Sequence, residues 1–364
     1  MDKQGQKARK KKRRWIKNIP LLIVELCILF LATGIMYVVL TTTAEVEHTD
    51  IDEEKITINE EVVEAMQTEE GDGDGITTKG YRNIALFGVD SRSGALGKGT
   101  RSDTIMIASI NQDTQEIKLI SVYRDTFLNL GNDSYNKCNA AYAQGGPEQA
   151  ISMLNTNLDL DITDYVTVGF GGLIDAVNAI GGIEMEITEA EISHLNNYQL
   201  TMAKEMGVDY IPVTQSGMQL LNGMQATAYC RIRYGGGDDF RRAERQRNVL
   251  YAMMNKAKYA SVGELTEMVN AILPQVQTSL GVNDILSVLG SAAGYEVVAS
   301  DGFPFENNRT GAKMGSKGDC IIPDDLEENV IELHSLLYPE KEYEPSRQVV
   351  NISSEIKAQT SAYR

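Results

Sequence analysis

The chain has 364 residues, is 42% apolar and carries a formal net charge of −17. Its length accommodates one large domain or two ordinary ones. So acidic a balance argues against a nucleic-acid partner, whose binding needs a basic face. Of the four cysteines, Cys27 falls in an apolar run, which leaves Cys138, Cys230 and Cys320. No CxxC or Cys/His spacing suggests zinc, and His48, His194 and His334 are far apart in the sequence. A zinc or thiol enzyme and a histidine-based triad are therefore not indicated.

Residues 1–18 hold nine Lys/Arg against Asp2 and read as a basic cytoplasmic tail. Residues 19–40, IPLLIVELCILFLATGIMYVVL, are apolar apart from Glu25. At about 1.5 Å per residue this run reaches roughly 33 Å, enough to cross the hydrocarbon core. The basic block before it and the acidic stretch after it place the N-terminus in the cytoplasm. The expectation is a single-pass anchor in the cell membrane with everything after Thr41 outside the cell. Residues 41–75 carry thirteen Asp/Glu against Lys55 and end in GDGDG. Too acidic to bury much apolar surface, residues 41–80 read as an extended extracellular tether.

From Arg82 the chain alternates strand-like and helix-like stretches. NIALFGV, TIMIASI and IKLISVY are continuous apolar runs, the mark of strands covered on both faces. NQDTQE joins the last two as a hairpin. NAAYAQGGPEQAISMLNTNL predicts helices broken at GGP, followed by a strand through DYVTVGF. GGLIDAVNAIGG predicts a short helix and IEMEIT a strand. Residues 238–260 predict a helix capped by Asp238 or Asp239, with Leu250, Met253, Met254 and Ala257 as its apolar stripe. Two more helices and a strand–helix unit, CIIPDDLEENVIELHSLL, complete residues 81–340. The expected fold is α/β, with a central mixed sheet and helices on both faces. Residues 341–364 are polar and read as a flexible tail.

Residues 76–364 contain thirteen arginines, and ten fall in two windows. Arg82, Arg92, Arg101 and Arg124 form the first. Arg231, Arg233, Arg241, Arg242, Arg245 and Arg247 form the second. A solvated surface would scatter its arginines and mix in lysines. A planar, always-charged guanidinium suits phosphate oxygens, so clustering points to an anion site. Stepping back along the helix from Leu250 and Met253 gives Gln246, Ala243 and Arg242, which puts polar groups on the core-facing stripe. The helix N-terminus adds N–H donors and a favourable dipole. Arg231 and Arg233 share one face if CRIRY is extended, and Arg241 and Arg247 are expected to face solvent. Arg124 and Asp125 end the third apolar strand, where ligands of α/β sheets bind. If NIALFGV and TIMIASI pair, Asp90 and Asp103 can share a cation. Mg²⁺ suits two carboxylates plus phosphate oxygens. The glycine-rich SGALGKGT between them reads as a flexible rim at the mouth of the site.

GVDSR, TRSDT, SVYRDT, KCNAAYAQGG, VGFGGLIDAVNAIGGIEMEI, CRIR and DDFRRAERQ, in this order behind one apolar span, resemble the LytR-CpsA-Psr family over roughly residues 82–260. The resemblance implies an α/β phosphotransferase on the outer face of a Gram-positive-type membrane. Such an enzyme takes a glycopolymer (wall teichoic acid, capsular or related polysaccharide) from a polyprenyl-pyrophosphate carrier. It joins the polymer to peptidoglycan by a phosphodiester and releases polyprenyl phosphate. Carried over position by position, the resemblance makes Asp90 and Asp103 ligands of Mg²⁺ (or Mn²⁺). It makes Arg92, Arg101, Arg124, Arg231, Arg233 and Arg242 contacts of the pyrophosphate, with Gln246 beside them and Lys137 where the family also has a lysine. Arg124 and Asp125 are the expected catalytic residues, with Asp239 as a second candidate base. The family's polyprenyl chain sits in an apolar cavity, which segments 150–183 and 249–273 could line. Tyr123 replaces a common proline, and Arg241 a common small residue. Cys138 and Cys230 stand at usually aliphatic places and raise a possible Cys138–Cys230 link. Residues beyond about 270 match less specifically. The rival reading is a non-catalytic, membrane-tethered sensor of polyprenyl phosphates that regulates envelope assembly.

Overall fold

A computed structural model describes residues 47–48, 53–67, 78, 80–89, 96–233, 239–281, 284 and 294–363. The strands are β1 (Glu47–His48), β2 (Tyr81–Val89), β3 (Ser102–Asn111), β4 (Glu116–Val122), β5 (Phe127–Asn129), β6 (Tyr135–Lys137), β7 (Asp164–Gly169), β8 (Ile183–Ile187), β9 (Gly217–Leu221), β10 (Val276–Thr278), β11 (Glu296–Phe303), β12 (Arg309–Lys313) and β13 (Asp319–Pro323). The helices are α1 (Glu60–Gln67), α2 (Asn139–Leu158), α3 (Phe170–Ala179), α4 (Glu189–Met206), α5 (Gly223–Arg231), α6 (Asp239–Lys258), α7 (Val262–Ile272), α8 (Leu326–Leu337) and α9 (Arg347–Thr360).

The three apolar runs form the centre of a seven-stranded mixed sheet, ordered β1–β10–β7–β2–β3–β4–β11. β3 lies antiparallel between β2 and β4, whereas β7 and β11 add in parallel. Alternate side chains of these strands feed two cores, as the period of two requires. Ala85, Ile107 and Ile120 pack toward α2, α8 and α9. Leu86, Ala108 and Leu119 pack toward Leu250 and Met254 of α6. Helices thus cover both faces, as expected. A separate apolar cluster joins α3, α4 and α5 to the β8–β9 hairpin through Ile174, Ile183, Leu195 and Leu221. The break at GGP is present: Gly146 sits at φ 73° inside α2.

Three expectations need correction. Residues 347–360 are not a loose tail but α9, whose Val349, Ile352 and Ile356 are buried at helical spacing. The Ser346 hydroxyl caps it by accepting from Val349 N–H at 3.2 Å. Nor is the acidic segment wholly an extended tether. Asn59 is 4% exposed and donates through Nδ2 to the Thr156 carbonyl at 3.2 Å and the Ser346 hydroxyl at 3.3 Å. Val62 of α1 is fully buried, and Glu60 and Glu61 sit where a helix N-terminus favours negative charge. Finally, Cys138, Cys230 and Cys320 are all buried and free. Cys138 belongs to the main core and Cys230 to the α3–α5 cluster, so the suggested link is not formed.

The apolar run 19–40 lies outside the described residues. Among those described, no helix is long and apolar enough to cross a membrane.

Candidate anion-binding cleft

The site lies where β4 ends and β3 begins. Asp103 owes its position to a one-residue bulge: Val89 pairs with Ser102 and Gly88 with Thr104, leaving Asp103 without a partner in the ladder. A bulge re-aims the extra side chain. Gly88 permits the close approach, since a Cβ there would lie 2.9 Å from the Thr104 side chain. Arg124 and Asp125 follow β4 directly. The Asp125 carbonyl accepts from Ile321 N–H at 2.9 Å, which ties this turn to β13. Lys137 comes from β6, and Asp239 opens α6.

These side chains form one ionic network. Arg124 donates through Nη1 to Asp103, and its Nε lies 3.6 Å from Asp125 and 3.8 Å from Asp239. Lys137 pairs with Asp125 at 2.9 Å. Asp239 also receives Arg233 and, at 2.9 Å, Arg242. Burial by itself would favour loss of the Arg124 proton, but Asp103, Asp125 and Asp239 outweigh it and hold the guanidinium above its ordinary pKa. For Asp239, burial opposes the charge, yet Arg242, Arg233 and Arg124 win and depress its pKa. Arg242, 8% exposed, is pulled down to about 10 by burial and by Arg124, with Asp239 opposing.

A cleft of about 680 Å³ opens onto this network. It is lined by Arg101, Arg124, Lys137, Arg233 and Lys313 against Asp103, Asp125, Asp239 and Asp319. With Arg242 just behind Asp239, cations exceed carboxylates in an otherwise acidic protein. Arg124 Nε and Arg242 Nε have no hydrogen-bond partner among the described residues. Both atoms are buried, so it is the excess of cations along the wall, planar guanidinium groups among them, that suits an anion with several oxygens.

The expected residues gather only in part. Arg101, Asp103, Arg124, Asp125, Lys137 and Arg233 line the cleft, and Arg242 joins them through Asp239. Arg231 does not, because CRIR is not extended there: α5 runs to Arg231 and turns its guanidinium over Phe170, 4.8 Å from the ring centre, and Tyr198, at 5.8 Å. Gln246 is half-buried on α6 and is not among the residues lining the cleft. Arg241 is exposed as expected, but Arg247 is buried, and burial lowers its pKa despite Tyr123, Asp301 and Glu244. Asp90 and Arg92 lie outside the described residues. What the sequence reading missed is the wall from the C-terminal third: Gly311, Ala312 and Lys313 of β12 with Asp319, Cys320 and Ile321 of β13.

Among the described residues no three or more His, Cys, Asp or Glu are grouped so that they could hold a metal ion by themselves. Mg²⁺ needs only one or two carboxylates when waters and phosphate oxygens complete its shell. The Asp103 side chain, 30% exposed with one oxygen engaged by Arg124, fits that role as a single hard donor.

A mixed α/β sheet with a cation-rich cleft at the carboxyl end of a central strand has the form of an open-sheet protein with a candidate anion site at that strand end. The chain belongs to the LytR_cpsA_psr family, whose match covers residues 34–315. It is 31% identical over 209 residues to the polyisoprenyl-teichoic acid–peptidoglycan teichoic acid transferase TagU of Enterococcus faecalis, covering 57% of this chain and 64% of that protein. Alignment with that curated relative thus spans less than two thirds of its length. The fold is similar to TagT bound to LI-WTA (TM-score 0.60, 19% identity, 80% of this chain and 98% of that one). It is also similar to the family protein YwtF (TagT) with bound octaprenyl pyrophosphate lipid (TM-score 0.53, 17% identity, 86% and 100%). At such identities the likeness to these structures is one of fold.

Proposed function

We propose that the protein is a phosphotransferase that moves a glycopolymer (wall teichoic acid or a related polysaccharide) from a polyprenyl-pyrophosphate carrier onto peptidoglycan. The observation that carries this is the network centred on Arg124, which gathers more cations than carboxylates around a cleft in a chain whose relative is named for such a transfer. Arg101, Arg124, Arg233 and Lys137 bind the pyrophosphate and offset its charge, and Arg242 reinforces them through Asp239. Positioning and charge neutralisation supply most of the rate in such transfers. Asp103, with Asp90, would hold Mg²⁺, which when bound adds charge neutralisation at the phosphate oxygens.

An acceptor hydroxyl of peptidoglycan attacks the phosphorus that carries the polymer. The new P–O bond forms as the bond to the bridging oxygen breaks, and polyprenyl phosphate leaves with that electron pair. The hydroxyl proton goes to Asp125. Asp239 is disfavoured as the base, because three guanidinium groups depress its pKa and weaken its hold on a proton. Apolar segments 150–183 and 249–273 are the region for the polyprenyl chain. In the first segment many side chains, such as Ile151, Leu154 and Val177, are already committed to core packing, whereas among the described residues of the second only Val249, Val269 and Leu273 are buried. The apolar run 19–40 would anchor the chain, with the cleft outside the cell. The test is direct: the purified full chain, given lipid-linked polymer, peptidoglycan and Mg²⁺, should release polyprenyl phosphate and leave phosphodiester-linked polymer on the wall. Binding of the lipid without release would contradict the proposal.

A further inference from the structure

The lining of the cleft is of two kinds. One part is the ionic network around Arg124. The other is Phe240 together with residues 311–313 and 319–321 of the β12–β13 hairpin. Phosphate is served by the first part; in the second, Lys313 is the one cation and stands opposite Asp319.

The Phe240 ring, half-buried at the cleft, is held from two sides. The Arg309 guanidinium lies 3.8 Å from its centre, and Tyr123 meets it nearly edge-on at 4.7 Å. Arg309 donates to the Tyr123 hydroxyl at 3.2 Å and to the Pro304 carbonyl at 2.9 Å. Tyr123 in turn fits only because residue 302 is glycine, since a Cβ there would run into its hydroxyl. Arg309 is therefore committed to fixing a ring, not to meeting a phosphate. Next to this ring the hairpin is small and open: a Cβ on Gly311 would meet no atom within 4 Å. Lys313 and Asp319 are exposed register partners, which puts a donor and an acceptor at the rim. A fixed aromatic ring in the wall, open space beside it and a few polar groups suit a sugar ring.

We infer that Phe240 and the β12–β13 hairpin form a platform for the acceptor glycan, an N-acetylated hexosamine chain of peptidoglycan. This rests on the phosphotransferase reading and says where its second substrate lies. Connectivity favours the acceptor over the donor's own sugars. The hairpin is joined to the reacting end by the Ile321 N–H on the Asp125 carbonyl and by the Thr126–Ile321 bridge. A sugar on the hairpin thus brings its hydroxyl to Asp125, and only the acceptor hydroxyl loses a proton in the transfer.

Two substitutions test it in the full chain in detergent. Gly311→Val fills the open space, and Phe240→Leu removes the aromatic face but keeps bulk. Each should raise the KM for soluble peptidoglycan disaccharide-peptides by about tenfold, with the donor KM held within about twofold. Retained donor binding shows that the fold survives. An unchanged acceptor KM overturns the inference. A parallel rise in donor KM also overturns it, by assigning the platform to the donor glycan. Direct binding of the disaccharide-peptides, followed by NMR, separates this from the reading beneath it. Wild-type protein that binds them at the hairpin but transfers nothing sinks the phosphotransferase proposal alone. Wild-type protein that transfers while the hairpin signals stay unmoved sinks the platform.

Discussion

Asp103 and Arg124 divide one carboxylate between two tasks. The bulge in β3 aims Asp103 at the cleft, where one oxygen takes the Arg124 guanidinium and the other is the proposed donor to a cation. Arg101, exposed on the rim, has no such double role. The two residues should therefore fail differently. Asp103→Ala should remove the response of transfer to added Mg²⁺, measured by titration of the metal. Arg101→Ala should raise the donor KM by roughly tenfold, the order expected for one charge-assisted contact, with the metal response retained. Identical metal titrations in the two variants would contradict this division.

At the scale of elements, segments far apart in sequence hold each other. Asn59, just before α1, bonds to Asp159 after α2 and to Ser346 before α9, and Asp159 also accepts from Ser346 N–H at 2.8 Å. Asn59→Ala would strip a buried carboxylate of one donor and should cost about 1–3 kcal/mol in denaturant unfolding. Ile352→Ala should cost about 2–5 kcal/mol, as for other buried aliphatic truncations, whereas a loose tail would lose nothing. Both segments were misread because average polarity hides a sparse buried stripe: Val349, Ile352 and Ile356 stand among polar neighbours. The central strands were legible, since a run apolar on both faces has few other fates. Arg242 was legible too, because the helical period carries the core stripe back to it. Arg231 was not, as CRIR reads as well at period two as at the end of a helix. Arg247 is buried where α6 packs against β11, with Tyr123 and Asp301 near enough to act on its charge, and no local pattern signals such an environment. The β12–β13 wall had no motif at all; only the fold brings it to the cleft.

For the molecule as a whole, charge and pH set the limits. Outside the basic residues 1–18 the chain is acidic, and an excess of cations at the cleft in that setting would favour a phosphorylated ligand there. His334, 3% exposed, stacks on Tyr343 at 3.6 Å and bonds to the Leu158 carbonyl at 2.8 Å. Burial depresses its pKa to about 4, against the partial opposition of the Leu158 carbonyl and Asp159. Above pH ~6.5 it is neutral folded or unfolded and adds no pH dependence. Below that the unfolded chain takes up the proton first, so stability should fall by up to about 3 kcal/mol by pH 4. Chemical denaturation of the full chain across that range checks this, and His334→Gln should flatten the slope.

The central claim is that the Arg124 network holds a pyrophosphate for transfer. Its most direct test is the transfer assay with Arg124→Ala, using lipid-linked donor and peptidoglycan acceptor in the presence of Mg²⁺. The account predicts loss of transfer, with unfolding by denaturant showing that the fold is kept. Undiminished turnover by the folded variant would contradict it.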